Sequence, residues 1–418
     1  MSASGFAASR VVTCDPERGE ATGVLGVFED GAVVVDAGHI VYVGPRAGAP
    51  PDVPIEDLGD CVLTPGLVDA HTHAAWVGSR HAEYVARMAG HDYRAIARAG
   101  GGIQSTHRAV VAATVEELAD ELVARLRRMA SLGVTTVEVK SGYGLESVHE
   151  RKQLVAIARA SARPDVPAVV PTLLALHALP PGELDRDAFA ARVARELVPE
   201  VARERLARFV DAYVDADAFT PGHARIVCDA ARAAGLGIRL HVGQFADVGG
   251  AELAASLGAA SVDHLEHVSA AGIDALARAG VAAVLLPVAS FTLGQAPPPV
   301  PQLRDAGVPL VVASDANPGT SPTESLPLAL ALAVRMYGLS PDEAILGATR
   351  HAAASLGLAD RGVLRAGARA DLVVWDLPHE HAIVQPWGVR KTRLVLVEGR
   401  TLVSLDLRRY APPTPPRT

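Results

Sequence analysis

The chain is short of cysteine, of aromatic residues and of long apolar runs. Its three cysteines, Cys14, Cys61 and Cys228, stand far apart with no CxxC pair. That argues against a disulfide scaffold and against a cysteine-based zinc site. The longest apolar stretch, Val281–Ala289, is far below the roughly 20 residues that a membrane-crossing helix needs. The opening segment, MSASGFAASRVV, has no basic start followed by an apolar run, so it lacks the form of a secretion signal. No block of like charge occurs, and 39 basic against 47 acidic residues leave a net charge of −8. Nucleic acid and anionic membranes are therefore not the expected partners. No GxGxxG follows a first strand, which leaves a dinucleotide-binding sheet without support. These absences predict a cytoplasmic, soluble protein.

What is present is apolar material in quantity, 49% of 418 residues, enough to bury a large core. Residues 8–60 carry short β-type runs, Gly23–Phe28, Ala32–Asp36 and His39–Val43, punctuated by turn residues. Similar runs return near the other end at Asp371–Trp375, Ala382–Val384 and Arg393–Val397. The middle reads differently. Eight apolar runs, Leu67–His71, Val134–Lys140, Ala168–Ala175, Phe209–Val214, Ile238–His241, Ser261–His264, Ala282–Pro287 and Pro309–Ser314, alternate with helical patterns such as Val115–Ser131, Glu146–Ser161 and Pro221–Ala234. This alternation predicts an α/β fold, a (β/α)8 TIM-like barrel over 62–358. Residues 1–61 and 359–418 are expected to combine into a small discontinuous β-sandwich domain beside it.

In such a barrel function gathers at the C-terminal ends of the strands. The first run ends in His71-Thr72-His73, and two histidines two apart project from one face of a strand. Alone, this pair is better read as two hydrogen-bonded polar side chains. The other strand ends change the balance: the fifth run ends in His241, the sixth in His264 and the eighth in Asp315. A closed barrel brings these ends to one mouth. His71, His73, His241 and Asp315 then form a nitrogen and oxygen set suited to a divalent metal, with His264 left to handle protons.

At this point the sequence resembles the amidohydrolase superfamily. The segments HAAWVGSRHAEYVARMAGHDYRAIARAGGGIQSTH (73–107), VEVKSGYGLE (137–146), ALHALPP (175–181) and SDANPGTSPTESLPLAL (314–330) narrow the likeness to its imidazolonepropionase family. That resemblance spans essentially the whole chain. It implies hydrolysis of the ring amide of 4-imidazolone-5-propanoate to N-formimino-L-glutamate in histidine degradation, and one zinc or iron held by His71, His73, His241 and Asp315. It also implies that Arg80 holds the substrate's propionate, and that Tyr143, His177 and Gln244 surround the ring. Asn317, Gly319 and Thr320 would form a substrate-holding loop, and His264 would act beside the attacking water. Asp315 would carry that water's proton to the leaving ring nitrogen, as general acid–base chemistry requires. A homodimer is the family's usual assembly.

Several readings stay open at this level. Arg80 outside its GSR context reads as a surface arginine. Lys140 ends a strand, where other superfamily branches carry a carboxylated lysine between two metals; here a structural ion pair is the better reading. Tyr93 could reach the substrate from the loop after the first strand. Three stretches depart from the family pattern: HVGQF after His241, DAYVDADAF in the fourth-strand region and HAIVQPWGVRKTRLV near the C-terminus. The alternatives are a relative acting on another propionate-bearing ring of the hydantoin or thiohydantoin type, and an inactive, metal-free interaction protein. A nucleobase deaminase fits less well, because Gln244 cannot protonate a ring nitrogen as a glutamic acid can. Replacing His71 with alanine is expected to abolish both metal retention and turnover; a His71→Ala protein with full metal stoichiometry by elemental analysis would contradict the ligand assignment.

Overall fold

The computed structural model describes residues 3–18, 22–91 and 100–404; Tyr93 and the proline-rich tail after Tyr410 lie outside them. Sixteen strands occur among these residues, in two sheets. In chain order they are β1 (Ser4–Val12), β2 (Val27–Asp36), β3 (His39–Pro45), β4 (Ile55–Asp57), β5 (Val62–Pro65), β6 (Leu67–Asp69), β7 (Val134–Lys140), β8 (Ala168–Leu176), β9 (Phe209–Val214), β10 (Gly237–Val242), β11 (Ser261–His264), β12 (Ala282–Leu285), β13 (Leu310–Val312), β14 (Leu372–Trp375), β15 (Thr392–Val397) and β16 (Arg400–Ser404).

The terminal segments do combine. Their strands pair as one mixed sheet in the order β16-β15-β14-β5-β1-β2-β3, with β4 added alongside β1. Its own small core gathers Val11, Val33, Ile40, Leu63, Leu364, Leu372, Val374 and Leu396. Because β5 pairs with β1 and β14, the chain turns into the barrel after Pro65, a few residues beyond the division drawn from sequence. The β-type run at Ala382–Val384 is instead part of a 3-10 helix, Glu380–Val384. The physical reason is local: the His379 side chain accepts from the His381 N–H, and Glu380 is drawn inward by a two-pronged bond to Arg10 at 2.6 and 2.8 Å.

The second sheet runs β6 to β13 in sequence order, each strand parallel to its neighbours. Helices such as Val115–Ala130, Ser147–Ser161 and Pro221–Ala233 lie between the strands. The first and third start on residues that sequence marks well: Thr114 and Thr220 form reciprocal capping boxes with Glu117 and His223. The last strand meets the first through a bridge between Thr72 and Ala316. Two backbone bonds reinforce it, from Asp315 N–H to His71 O at 3.1 Å and from His73 N–H to Ala316 O at 3.0 Å. This closure sets the HxH segment directly against Asp315.

Alternation along the strands decides which side chains fill the barrel. Val210, Ala212 and Val214 of β9 and Ile238, Leu240 and Val242 of β10 pack outward against the helices. Val68, Phe209, Val284 and Val311 fill the lower interior. Above them the inward positions turn polar: Glu138 and Lys140, Asp211, Arg239 and His241, and Asp263, all buried. The interior thus grades from apolar at the base to ionic beneath the mouth.

Candidate active site

The strand-end residues converge as the spacing predicts. Ring centroids lie 4.6 Å apart for His71 and His241, 5.3 Å for His71 and His73, and 5.5 Å for His241 and His264. An Asp315 carboxylate oxygen sits 3.5 Å from Nε2 of both His71 and His73. His71 hydrogen-bonds through Nδ1 to Asp263 at 2.6 Å, and His241 through Nδ1 to Asp211 at 3.1 Å. A ring that donates from Nδ1 carries its lone pair on Nε2, so both rings offer an Nε2 lone pair towards the centre.

The donor set fits a divalent cation. His71 Nε2 is buried with no hydrogen-bond partner, and the Nε2 atoms of His73 and His241 face each other at 3.2 Å. A cation among them would take a lone pair from each ring in place of that contact. Burial, helped by neighbouring cationic groups, pushes the imidazolium forms of His71 and His73 well below the ordinary histidine range. These rings are therefore neutral, the form that binds metal. Burial also raises the Asp315 carboxyl to about 7, a cost that a cation at this position would offset.

His264 stands apart in charge. Burial disfavours its imidazolium, but Glu266, 3.8 Å away, outweighs that and raises its pKa. Glu266 is itself held by Ser290 Oγ at 2.7 Å, and Ser290 by the Tyr337 hydroxyl at 2.6 Å. Backbone strain marks this side of the mouth: His264 and Leu265 sit at φ 85° and 75°, and Asp315 at 53°. Such conformations cost on the order of 1–3 kcal/mol each and concentrate at functional sites.

Above the histidines opens a cavity of about 550 Å³. His73, Arg80, Tyr143, His177, His241, Gln244, His264, Asp315, Asn317 and Thr320 all line it. His71, wholly buried, and Gly319 are not among the residues that line it. His177 stacks on His73 at 5.3 Å and donates from Nδ1 to Gly142 O at 2.7 Å; burial, with His241 nearby, lowers its pKa to about 3. The Tyr143 loop is tied down by Glu150, which accepts from Gly142 and Leu145 N–H at 2.7 and 2.6 Å. A Cβ on Gly144 would lie 2.2 Å from the Glu150 nitrogen, so the loop closes only with glycine there.

Two of the expected site residues also have tasks within their own loop. Asn317 spends its side chain on its own loop: Oδ1 accepts from the N–H groups of Gly319, Thr320 and Ser321, and Nδ2 donates to Asp315 O. It shapes the loop and holds Asp315 as well as bordering the cavity. Gly319 makes room for Arg80, since a Cβ there would lie 2.2 Å from an Arg80 terminal nitrogen. Arg80, 8% exposed, forks onto Glu83 at 2.8 and 2.6 Å. Lys140 is an ammonium among carboxylates, 2.9 Å from both Glu138 and Asp211, which leaves no place for a carboxylated lysine between two metals.

Sequence reasoning missed Asp211, Asp263, Glu138 and Tyr213. Tyr213 donates to Gln244 Oε1 at 3.0 Å and so orients that amide. The available signal was charged or polar residues at the inward positions of otherwise apolar strands. Gln104, Arg186, Asp215 and Phe219 also border the cavity.

Comparison with known proteins shows the fold and the family. Solved structures of the same fold include an atrazine chlorohydrolase from Arthrobacter aurescens TC1 complexed with zinc (TM-score 0.69, 18% identity, 97% of each chain covered). An adenosine deaminase from Xanthomonas campestris with bound zinc is another (TM-score 0.69, 21% identity, 97% of this chain and 95% of that one). The amidohydrolase family model matches residues 62–402, and the chain belongs to that family. Within it, an imidazolonepropionase from Methylobacterium sp. (strain 4-46) is 45% identical over 90% of this chain and 95% of its own. Another from Rhizorhabdus wittichii is 47% identical over 87% and 92%. At that likeness over nearly the full length, the chain is placed among the imidazolonepropionases.

Gly319→Ala is expected to leave the fold intact, because the group displaced is the far end of a flexible side chain. By moving Arg80 it should raise KM for a propionate-bearing substrate about 10-fold, worth about 1.4 kcal/mol of binding, with a smaller change in kcat. Steady-state kinetics beside a thermal melt checks this; an unchanged KM would remove Arg80 from the binding account.

Proposed function

We propose that this protein hydrolyses the ring amide C–N bond of 4-imidazolone-5-propanoate, giving N-formimino-L-glutamate in histidine degradation. The observation that carries the reading is the gathering of His71, His73, His241, His264 and Asp315 beneath a cavity bordered by Arg80, in a chain about 45% identical to imidazolonepropionases. His71, His73, His241 and Asp315 would hold one divalent ion, zinc or iron. When bound, such an ion lowers the pKa of a water molecule towards neutrality and polarises a carbonyl oxygen.

The chain's own residues account for the rest. Arg80 exchanges Glu83 for the substrate's propionate, since its fork matches a carboxylate with two parallel charge-assisted bonds. Tyr143 and His177 form the wall against which the ring lies, and Gln244, oriented by Tyr213, offers its amide to the ring edge. Asp315 takes the proton of the attacking water. His264, whose charged form Glu266 favours, donates to the oxygen that gains charge as the carbonyl carbon becomes tetrahedral. Asp315 then delivers its proton to the ring nitrogen, and the C–N bond breaks. Thr320 and Asn317 hold the loop that borders the product.

Gln244 has no acidic proton to give a ring nitrogen, which counts against deamination. No helix among the described residues is long and apolar enough to cross a membrane. A homodimer and a cytoplasmic location rest on the family resemblance alone.

The deciding experiment is turnover of freshly prepared imidazolonepropionate and of its hydantoin analogue, with metal content measured on the same sample. Ring opening of the first with about one metal ion per chain is expected; turnover of the hydantoin alone would move the assignment to a related ring. Arg80→Ala should raise KM far more than it lowers kcat, and an unchanged KM would overturn the anchor role.

A further inference from the structure

Directly beneath the histidines lies a wholly buried ionic cluster that no step above uses. Lys140 and Arg239 are the two largest fully buried side chains among the described residues. The Lys140 ammonium lies 2.9 Å from Glu138, 2.9 Å from Asp211 and 3.8 Å from Asp263. Each carboxylate has a second task. Asp263 takes the His71 Nδ1 bond at 2.6 Å, and its other oxygen accepts from Ser261 Oγ at 2.6 Å. Asp211 receives both the N–H and Nδ1 of His241, at 3.2 and 3.1 Å. Glu138 accepts from the Thr72 N–H at 3.1 Å, while Thr72 Oγ1 donates to Glu138 O at 2.7 Å. Thr72 is the residue between His71 and His73.

One cation therefore stands behind three separate supports of the metal-binding histidines. We infer that Lys140 is a positioning residue for the reaction: it fixes Glu138, Asp211 and Asp263, and through them the orientation of His71 and His241 and the backbone of the HxH segment. The neighbouring charges support this. Burial alone would discharge Lys140, but Glu138, Asp211 and Asp263 outweigh it and raise its pKa. Arg239, 3.7 Å from Asp263 and bonded to Ala70 O at 2.8 Å, supplies the only other cation in contact with these carboxylates among the described residues. Three carboxylates thus share two cations, and removing Lys140 would leave Glu138 and Asp211 without one, loosening the supports of the HxH backbone and of the His241 ring.

The inference rests on the metal centre proposed above, and its sign separates it from simple electrostatics. Deleting a nearby positive charge would, by Coulomb's law alone, tighten the hold on a metal cation. Loss of positioning predicts the reverse, since groups that orient metal-bound histidines typically change affinity by about 10- to 100-fold. The test is Lys140→Met, read by competition of the purified protein with a chelator for zinc and by the visible spectrum after loading with cobalt(II). Zinc affinity at least about 10-fold weaker, with a shifted cobalt band, supports the assignment. Equal or tighter zinc binding with an unchanged band overturns it. Should Lys140→Met fail to fold, Lys140→Gln deletes the same charge with a polar side chain and carries the same two readouts, with the same outcomes. A lower melting temperature alone, with affinity and spectrum unmoved, would mark Lys140 as merely structural. A wild-type chain that binds no zinc or iron would instead remove the metal centre itself.

Discussion

Charges placed inside a closed barrel must satisfy one another, and this constraint governs the molecule above its apolar base. Bare carboxylates and ammonium groups lose several kcal/mol each on leaving water. The upper interior is tolerable only because Glu138, Lys140, Asp211, Arg239 and Asp263 are mutually paired or hydrogen-bonded. Pairing of this kind demands fixed positions. A rigid ionic floor is therefore what the clustered histidines stand on, and the strand-end rings inherit its geometry.

The closure between Thr72 and Ala316 completes that arrangement. It brings residues about 240 positions apart in sequence into direct contact, so Asp315 joins the HxH pair without a loop to carry it. The strained backbone at His264, Leu265 and Asp315 is held by such bonds, including Leu265 N–H to Val242 O at 3.0 Å and His267 N–H to Gly243 O at 2.9 Å. Local strain is sustained by the rigid strands beneath it.

Much of this was legible in the sequence for a simple reason. Barrel strands are short apolar runs, and His71, His241, His264 and Asp315 each close one, so strand ends and site residues announce each other. The supporting carboxylates were harder to see. Asp211 lies in the middle of FVDAYV, within a stretch that stood out only as a departure from pattern, and its role depends on which face of β9 it occupies. Asn317 and Gly319 sit in a loop whose sequence suggests ligand contact; only the hydrogen bonds of Oδ1 and the nearness of Arg80 show that they first build the loop. At Ala382–Val384 an apolar triplet read as a strand lies in a tight helix, because the neighbouring His379 and Glu380 find partners that bend the chain.

The fork between Arg80 and Glu83 has a consequence for how the cavity admits its guest. The arginine already grips a carboxylate of its own helix, and Glu83 also receives the Gly102 N–H at 3.0 Å. If Arg80 is the propionate anchor proposed above, an incoming anion enters by swapping places with an internal surrogate. A molecule without a negative tail would then have nothing to exchange and would leave that clasp shut, so part of the selectivity would be a barter of like for like, settled before any bond is broken.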